Sequence, residues 1–252
     1  MSWHRVATQA IDLDLDVGVA AARAHAVAEA LWRRVVPLLA LRAGRAEPLA
    51  SGVLYEHRGR LLIATCAHVF DGGVALGDVA VPLGDSGRLL PLGVARARLL
   101  LHDAADVAIV AIGEPAAAER LRASWRTHAL AAGTAPGIAS LFVIAGYPYA
   151  QMRRVDGVLY ARPLVAFARA LDAEARLLGY PRIARRADGI VVHAPELDGV
   201  SGATLWRVQE DAGEGVDCVL HAAGVQVAFK PGAYARGAPI GALHELAERL
   251  VH

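Results

Sequence analysis

Three short stretches of this 252-residue chain carry residue types that could do chemistry together. In Leu197-Asp198-Gly199-Val200-Ser201-Gly202-Ala203 a serine lies among glycines and is followed by apolar residues with strand character. Glycine there permits positive-φ turns and lets a carbonyl group come close to main-chain N–H groups. A Gly-x-Ser-Gly run is also an ordinary turn, so its meaning depends on a base and an acid elsewhere. A serine hydroxyl is a poor nucleophile at neutral pH unless a base stands within hydrogen-bond reach. His68 is the candidate base, because imidazole can take and return a proton near neutral pH. The chain has ten histidines, and position selects this one: it closes the apolar run Leu61-Leu62-Ile63-Ala64-Thr65-Cys66-Ala67-His68. Asp106 opens the apolar run Val107-Ala108-Ile109-Val110 and is the candidate acid that would fix the imidazole tautomer. Asp103 competes for that role, and the apolar run favours Asp106.

In the order His, Asp, Ser, these runs resemble the motifs of chymotrypsin-like (trypsin-fold) serine peptidases. Thr65-Cys66-Ala67-His68 is similar to the family's Thr-Ala-Ala-His, Asp106-Val107-Ala108-Ile109 to its Asp-Ile-Ala-Leu, and Gly199-Val200-Ser201-Gly202-Ala203 to its Gly-Asp-Ser-Gly-Gly. The resemblance extends from about residue 35 to the C-terminus. It implies an all-β protein of two six-stranded antiparallel barrels with a C-terminal helix. It also implies a catalytic triad of His68, Asp106 and Ser201, an oxyanion hole from the backbone N–H groups of Gly199 and Ser201, and an acyl-enzyme route without metal or organic cofactor. Val200 replaces an aspartate that pairs with the new N-terminus in members activated by cleavage, so no such activation is expected. By the family's register Pro195 stands near the base of the substrate pocket, with Val227, Ala228 and Phe229 along its wall. Proline does not predict cleavage after Arg or Lys, although Glu196 is adjacent. Phe229 lies where many members keep glycine, which implies a narrow pocket for small or medium apolar residues.

Composition narrows the rest. A hydrophobic content of 55% with 20% charged residues describes a folded globular chain. A formal net charge of +1 gives no support to a nucleic-acid or membrane partner. Only Cys66 and Cys218 are present, and Val69 stands where the family carries a half-cystine after the histidine. That pattern, and the lack of an apolar leader in residues 1–10, point to a reducing, cytoplasmic setting. Bacterial relatives of that kind resemble protease modules of stress or defence systems, which implies a protein or peptide substrate. Asp12, Asp14 and Asp16 are similar to the start of a calcium-binding loop, but Val17 and Arg23 stand where glycine and glutamate are needed. No metal site is expected.

The elements that must position these residues follow from periodicity. Residues 11–17 alternate in the manner of an exposed edge strand or arm, and 17–36 have helical composition ended by Pro37. This N-terminal unit, residues 1–36, would pack on the barrel or mediate association with itself or a partner. Residues 38–42, 51–57, 60–65, 79–83, 88–92, 95–101 and 107–112 read as strands of a first barrel over about 37–113. A connector with a short helix at 116–125 leads to a second barrel over about 137–230, with strands at 140–147, 155–162, 189–193, 203–208 and 219–229. Residues 164–186 have helical composition broken by Gly179-Tyr180-Pro181, fitting a strand with an elaborated loop. Residues 239–251 read as an amphipathic closing helix. Two other classes stay open: a catalytically silent binding scaffold of the same fold, and an esterase with the same triad. The α/β-hydrolase version of the latter would place histidine last and its serine before a helix. Here the histidine comes first and Ser201 leads into a strand.

Overall fold

The computed structural model describes residues 2–14, 19–84, 87–130, 141–210 and 218–250. The fold is mostly β, with two curled half-barrel sheets and three helices. The first sheet runs Leu89–Pro91, Val79–Pro82, Val35–Arg42, Arg45–His57, Arg60–Thr65, Ala108–Ala111, Arg98–Leu101, with His128–Ala129 pairing parallel to Tyr55 and Glu56. The second runs Leu177–Tyr180, Ala233–Pro239, Cys218–Lys230, Thr204–Glu210, Leu141–Gly146, Leu164–Arg169, Gln9–Asp12, Ile183–Arg186, Val191–His193. A third, small sheet joins Ser2–Arg5, Val158–Ala161 and Met152–Val155.

The wall between the halves is the strand Leu141–Gly146. Its side chains alternate between faces, as strand geometry demands. Phe142 and Ile144 enter a core with Leu164, Leu178, Leu197, Val200 and Leu205. Val143 and Ala145 enter the larger core, with Leu38, Leu54, Ile63, Val110 and Trp206. Both faces are dry, which is why the strand reads as a continuous apolar run rather than an alternating one.

Several expectations need correction. Among the described residues the sheets hold eight and nine strands rather than six each, because short hairpin strands and an N-terminal strand extend them. The expected exposed arm is instead built into the second sheet: Gln9–Asp12 pairs parallel with Leu164–Arg169, and Ile11 is only 1% exposed. Asp12 and Asp14 did not keep it at the surface because each finds a partner, while Asp16 lies outside the described residues. Asp12 accepts from the backbone N–H of Asp14 (3.0 Å) and Val19 (2.5 Å), and Asp14 pairs with Arg169. Helix α1 is Ala21–Leu31, shorter than expected, since Val35 and Val36 already belong to the next strand. Its Ala24, Val27, Ala28 and Leu31 form one buried face. Residues 15–18, inside both expected elements, lie outside the described residues. Residues 164–186 resolve into the strands Leu164–Arg169, Leu177–Tyr180 and Ile183–Arg186. Ala233–Pro239, unexpected as a strand, pairs with Cys218–Lys230.

The strand expected at 155–162 is instead the second half of a hairpin, Met152–Val155 with Val158–Ala161, turned at Asp156 and Gly157, which both take positive φ. The connector carries α2, Pro115–Ser124, with proline in its first turn, where its missing N–H costs nothing; the end of the connector, 131–136, lies outside the described residues. The closing helix α3, Ile240–Glu248, buries Ile240, Ala242, Leu243, Leu246 and Ala247. No helix among the described residues is long and apolar enough to cross a membrane.

His128 ties a charge to this packing. It stands edge-on to Trp206 (5.0 Å) and to Tyr55 (5.8 Å). Burial, reinforced by the positive charges of Arg34 and His221, pulls its pKa down to about 4. The unfolded chain takes up that proton near pH ~6.5, so between the two values the unfolded state binds more protons and stability rises with pH. Denaturation midpoints measured from pH 6.5 down to 4 are therefore expected to fall more steeply for the wild type than for His128→Gln.

Candidate active site

Two adjacent antiparallel strands bring the base and the acid together. Arg60–Thr65 pairs with Ala108–Ala111 in the register Thr65 opposite Ala108, so the first strand ends beside the start of the second. Past Thr65 the chain enters a short 3₁₀ turn, Ala67–Phe70, which presents His68. Asp106 lies just before the facing strand. Its carboxylate holds His68 twice: Oδ1 accepts from the His68 backbone N–H at 2.9 Å, and Oδ2 lies 2.6 Å from Nδ1. The second contact places the ring proton on Nδ1 and leaves Nε2 with a free lone pair. The His68 side chain is 42% exposed, so Nε2 chemistry is open to solvent-borne molecules. Asp103, the competing acid, is taken by Arg249 at 3.0 Å on the other side of its loop.

Nε2 faces Cys66 Sγ at 3.5 Å. Cys66 is free and buried, and burial, helped by the Asp106 charge, pushes its thiol up to about 12. It therefore stays S–H at neutral pH and is no thiolate nucleophile. Ser201 is half-buried, and its hydroxyl makes no hydrogen bond to Nε2.

The turn carrying Ser201 is docked against the segment that carries His68. Gly199 and Gly202 adopt φ of +90° and +88°. A Cβ on Gly202 would lie 2.1 Å from Thr65 Oγ1, 2.3 Å from Ser51 O and 2.9 Å from Cys66 N, so only glycine fits between the turn and that segment. The carbonyls around Ser201 all point into the protein. Asp198 O accepts from Tyr149 N–H (2.7 Å), Val200 O from Ala203 N–H (2.9 Å), Gly199 O from Ser51 Oγ (2.8 Å) and Ser201 O from Ser51 N–H (2.9 Å). In a trans peptide the N–H points opposite the C=O. The N–H groups of Gly199 and Ser201 consequently turn away from those partners, and neither has an acceptor among the described residues. Two free donors beside a serine could hold an oxyanion.

Of the expected pocket residues, Pro195 and Phe229 come together through Tyr180, whose hydroxyl donates to Pro195 O and whose ring meets Phe229 edge-on at 6.3 Å. Val227 belongs to the larger core, whereas Phe229 packs against the smaller one, so the two do not share a wall. Ala228 is half-buried beside them at a bulge in the pairing with Ala233–Pro239. Gln226 is fully buried one residue before Val227, with both side-chain amide atoms lacking hydrogen-bond partners.

Sequence reasoning missed three residues. Ser51 Oγ bridges Gly199 O and the Tyr147 backbone N–H at 2.9 Å. Tyr149 lies against Gly199, with its hydroxyl on Leu49 O. Cys66 faces the base. The small pair Ser51-Gly52 inside an apolar strand was the only signal for the first. No family model matches the chain, and no curated protein matches it significantly.

Ser51 gives a stability test. Replacing it with alanine removes the buried hydrogen bonds that Ser51 Oγ makes with Tyr147 N–H and Gly199 C=O, at a cost of about 1–3 kcal/mol. Ser51→Ala is expected to lower the urea midpoint accordingly without changing the m-value.

Proposed function

We propose that this protein is a serine endopeptidase of the chymotrypsin-like kind, acting on a protein or peptide substrate through Ser201, His68 and Asp106. The observation that carries this reading is the double hold of Asp106 on His68, which leaves Nε2 basic beside a glycine-flanked serine turn with two free N–H donors. In this reading Ser201 Oγ attacks the scissile carbonyl carbon while Nε2 takes its proton. The oxyanion that forms is held by the Gly199 and Ser201 N–H groups, donors typically worth about 10²–10³ in turnover. The intermediate collapses by breaking the C–N bond, and Nε2–H protonates the departing amine. Water then attacks the acyl-serine with Nε2 as base, releasing the acid and restoring the hydroxyl. Asp106 keeps the ring in the required tautomer and stabilises the imidazolium.

A preference for small or medium apolar residues before the scissile bond belongs to the same proposal and rests on the family's register alone. A cytoplasmic setting and a role in a stress or defence system belong to the same proposal and rest on the family resemblance alone.

A second reading, a catalytically silent scaffold, is favoured by one feature: Nε2 rests on Cys66 Sγ and not on Ser201 Oγ. A fluorescent fluorophosphonate separates the two. The wild type is expected to label, Ser201→Ala to give no adduct, and His68→Ala to label at least about 10⁴-fold more slowly. Absence of labelling in folded wild-type protein would support the scaffold.

A further inference from the structure

At the end of the β-hairpin remote from His68 there is a second cluster of chemically capable side chains. His57 closes the strand Arg45–His57, and His244 and Glu248 stand one helical turn apart on α3, facing it. The histidine and the carboxylate four residues apart fall on one side of the helix because 3.6 residues make a turn. A ring nitrogen of His57, one of His244 and a carboxylate oxygen of Glu248 converge, each within 4.8 Å of the others. No other such trio occurs among the described residues.

His57 is the informative member. It is 7% exposed, and its Nε2 is buried without a hydrogen-bond partner. Glu248 Oε1 lies only 3.0 Å away, yet off the direction in which a ring N–H would point. An imidazolium–carboxylate pair would align the two, and a buried polar nitrogen left unaligned is costly. His244 Nε2 is 3.9 Å from the same Oε1. Atoms bound to zinc at about 2.0–2.1 Å in a tetrahedron stand roughly 3.3–3.4 Å from one another, so the two separations bracket the spacing of a shared ion. The imidazole rings meet at 81° with centroids 5.5 Å apart, so they are not stacked. Arg58 Nη2 sits 2.8 Å from Glu248 Oε2, engaging the second carboxylate oxygen and leaving Oε1 turned towards the histidines.

We propose that His57 Nε2, His244 Nε2 and Glu248 Oε1 bind a divalent transition-metal ion, zinc by the chemistry of the ligands, with water in the fourth position. Two imidazoles and one carboxylate suit zinc better than magnesium or calcium, which take oxygen ligands. The role is structural. From Arg60, which pairs with His57, to Thr65 the strand rises about 16 Å, which keeps the ion away from His68. The ion fastens α3 to the hairpin tip at Arg58-Gly59. The same helix holds the loop ahead of Asp106, through Glu245 to His102 at 3.1 Å and Arg249 to Asp103 at 3.0 Å. This site was not expected from the sequence, where His57 lies 187 positions before His244, and it stands whether or not Ser201 is a nucleophile.

The full chain, stripped with a chelator and exchanged into metal-free buffer, is titrated with zinc by calorimetry and followed by thermal unfolding. One equivalent is expected to bind and to raise the unfolding midpoint, while magnesium does neither. Cobalt(II) at one equivalent is expected to give the intense visible bands of a four-coordinate site. His244→Ala and Glu248→Gln are half-exposed and keep the buried His57, so they should fold. Each is expected to weaken zinc binding about 100-fold or more, beyond the loss typical of outer-shell changes. The surface variant His25→Ala should bind as the wild type does. Failure of folded wild-type protein to take up one equivalent, or equal uptake by His244→Ala, overturns the proposal, and fluorophosphonate labelling is independent of either result.

Discussion

Everything at the candidate site depends on where one carboxylate is held. Asp106 reaches both the backbone and the ring of His68, so it fixes the fold of the 3₁₀ turn and the direction of the imidazole together. Its own position is set by a tight loop. Val107 N–H donates to Ala105 O (2.7 Å), His102 N–H to Val107 O (3.0 Å), and the backbone N–H groups of Ala104 and Ala105 both donate to His102 Nδ1. That last pair makes Nε2 the protonated nitrogen of His102, and it points at Glu245 of α3. A single exposed ion pair such as Arg249–Asp103 contributes little. The His102 side chain is only 11% exposed, and its bonds run in sequence from helix to loop to acid. The C-terminal helix thereby acts on the placement of Asp106 and His68 without touching either.

The serine turn is held by both halves of the molecule: Gly202 N–H donates to Gln226 O (2.8 Å) and Val200 packs in the second-sheet core. Its inward-facing carbonyls at 199 and 201 are gripped by Ser51 on the first sheet, while Tyr55 of the same strand shares a buried hydrogen bond (2.8 Å) with Thr204, just past the turn. His68, Asp106 and the anchors of the serine turn all stand on the first-sheet side, and Ser201 itself lies just before a strand of the second. Sliding one sheet on the other would separate them, and the dry face of Leu141–Gly146 between the two cores resists that slide. Packing density and site geometry are thus the same requirement here.

What could be read from the sequence was local. Arg60–Thr65 and its two neighbours declared themselves through apolar runs and turn glycines, and α3 through its buried face. The glycines at 199 and 202 announced a special backbone. Pairing between distant segments left no such trace. Nothing in Gln9–Asp12 says that it lies between Leu164–Arg169 and Ile183–Arg186, because Asp12 and the nearby Asp14 look solvated until the backbone donors and Arg169 arrive. Residues 164–186 are rich in helix formers yet form strands, since their apolar side chains have a second-sheet core to fill and tertiary burial overrides weak propensity. Ser51, Tyr149 and the His57 cluster act only through partners far along the chain.

The contact between Cys66 and His68 bears on how the site works. With Nδ1 committed to Asp106, the lone pair of Nε2 is the ring's one remaining polar capacity. Burial keeps Cys66 protonated, so it can offer an S–H but not compete as a nucleophile. A thiol is a weak donor, and 3.5 Å is a loose contact. A hydroxyl donating to the same nitrogen makes the stronger bond. If Ser201 acts as proposed, a substrate that brought its hydroxyl onto Nε2 would trade a weak partner for a better one. Hydrogen bonds of this kind are often long in free enzymes and tighten only when substrate is bound. In the proposed reading Cys66 parks the ring while no substrate is bound, and the carboxylate behind it leaves Nε2 as the nitrogen that would take the proton.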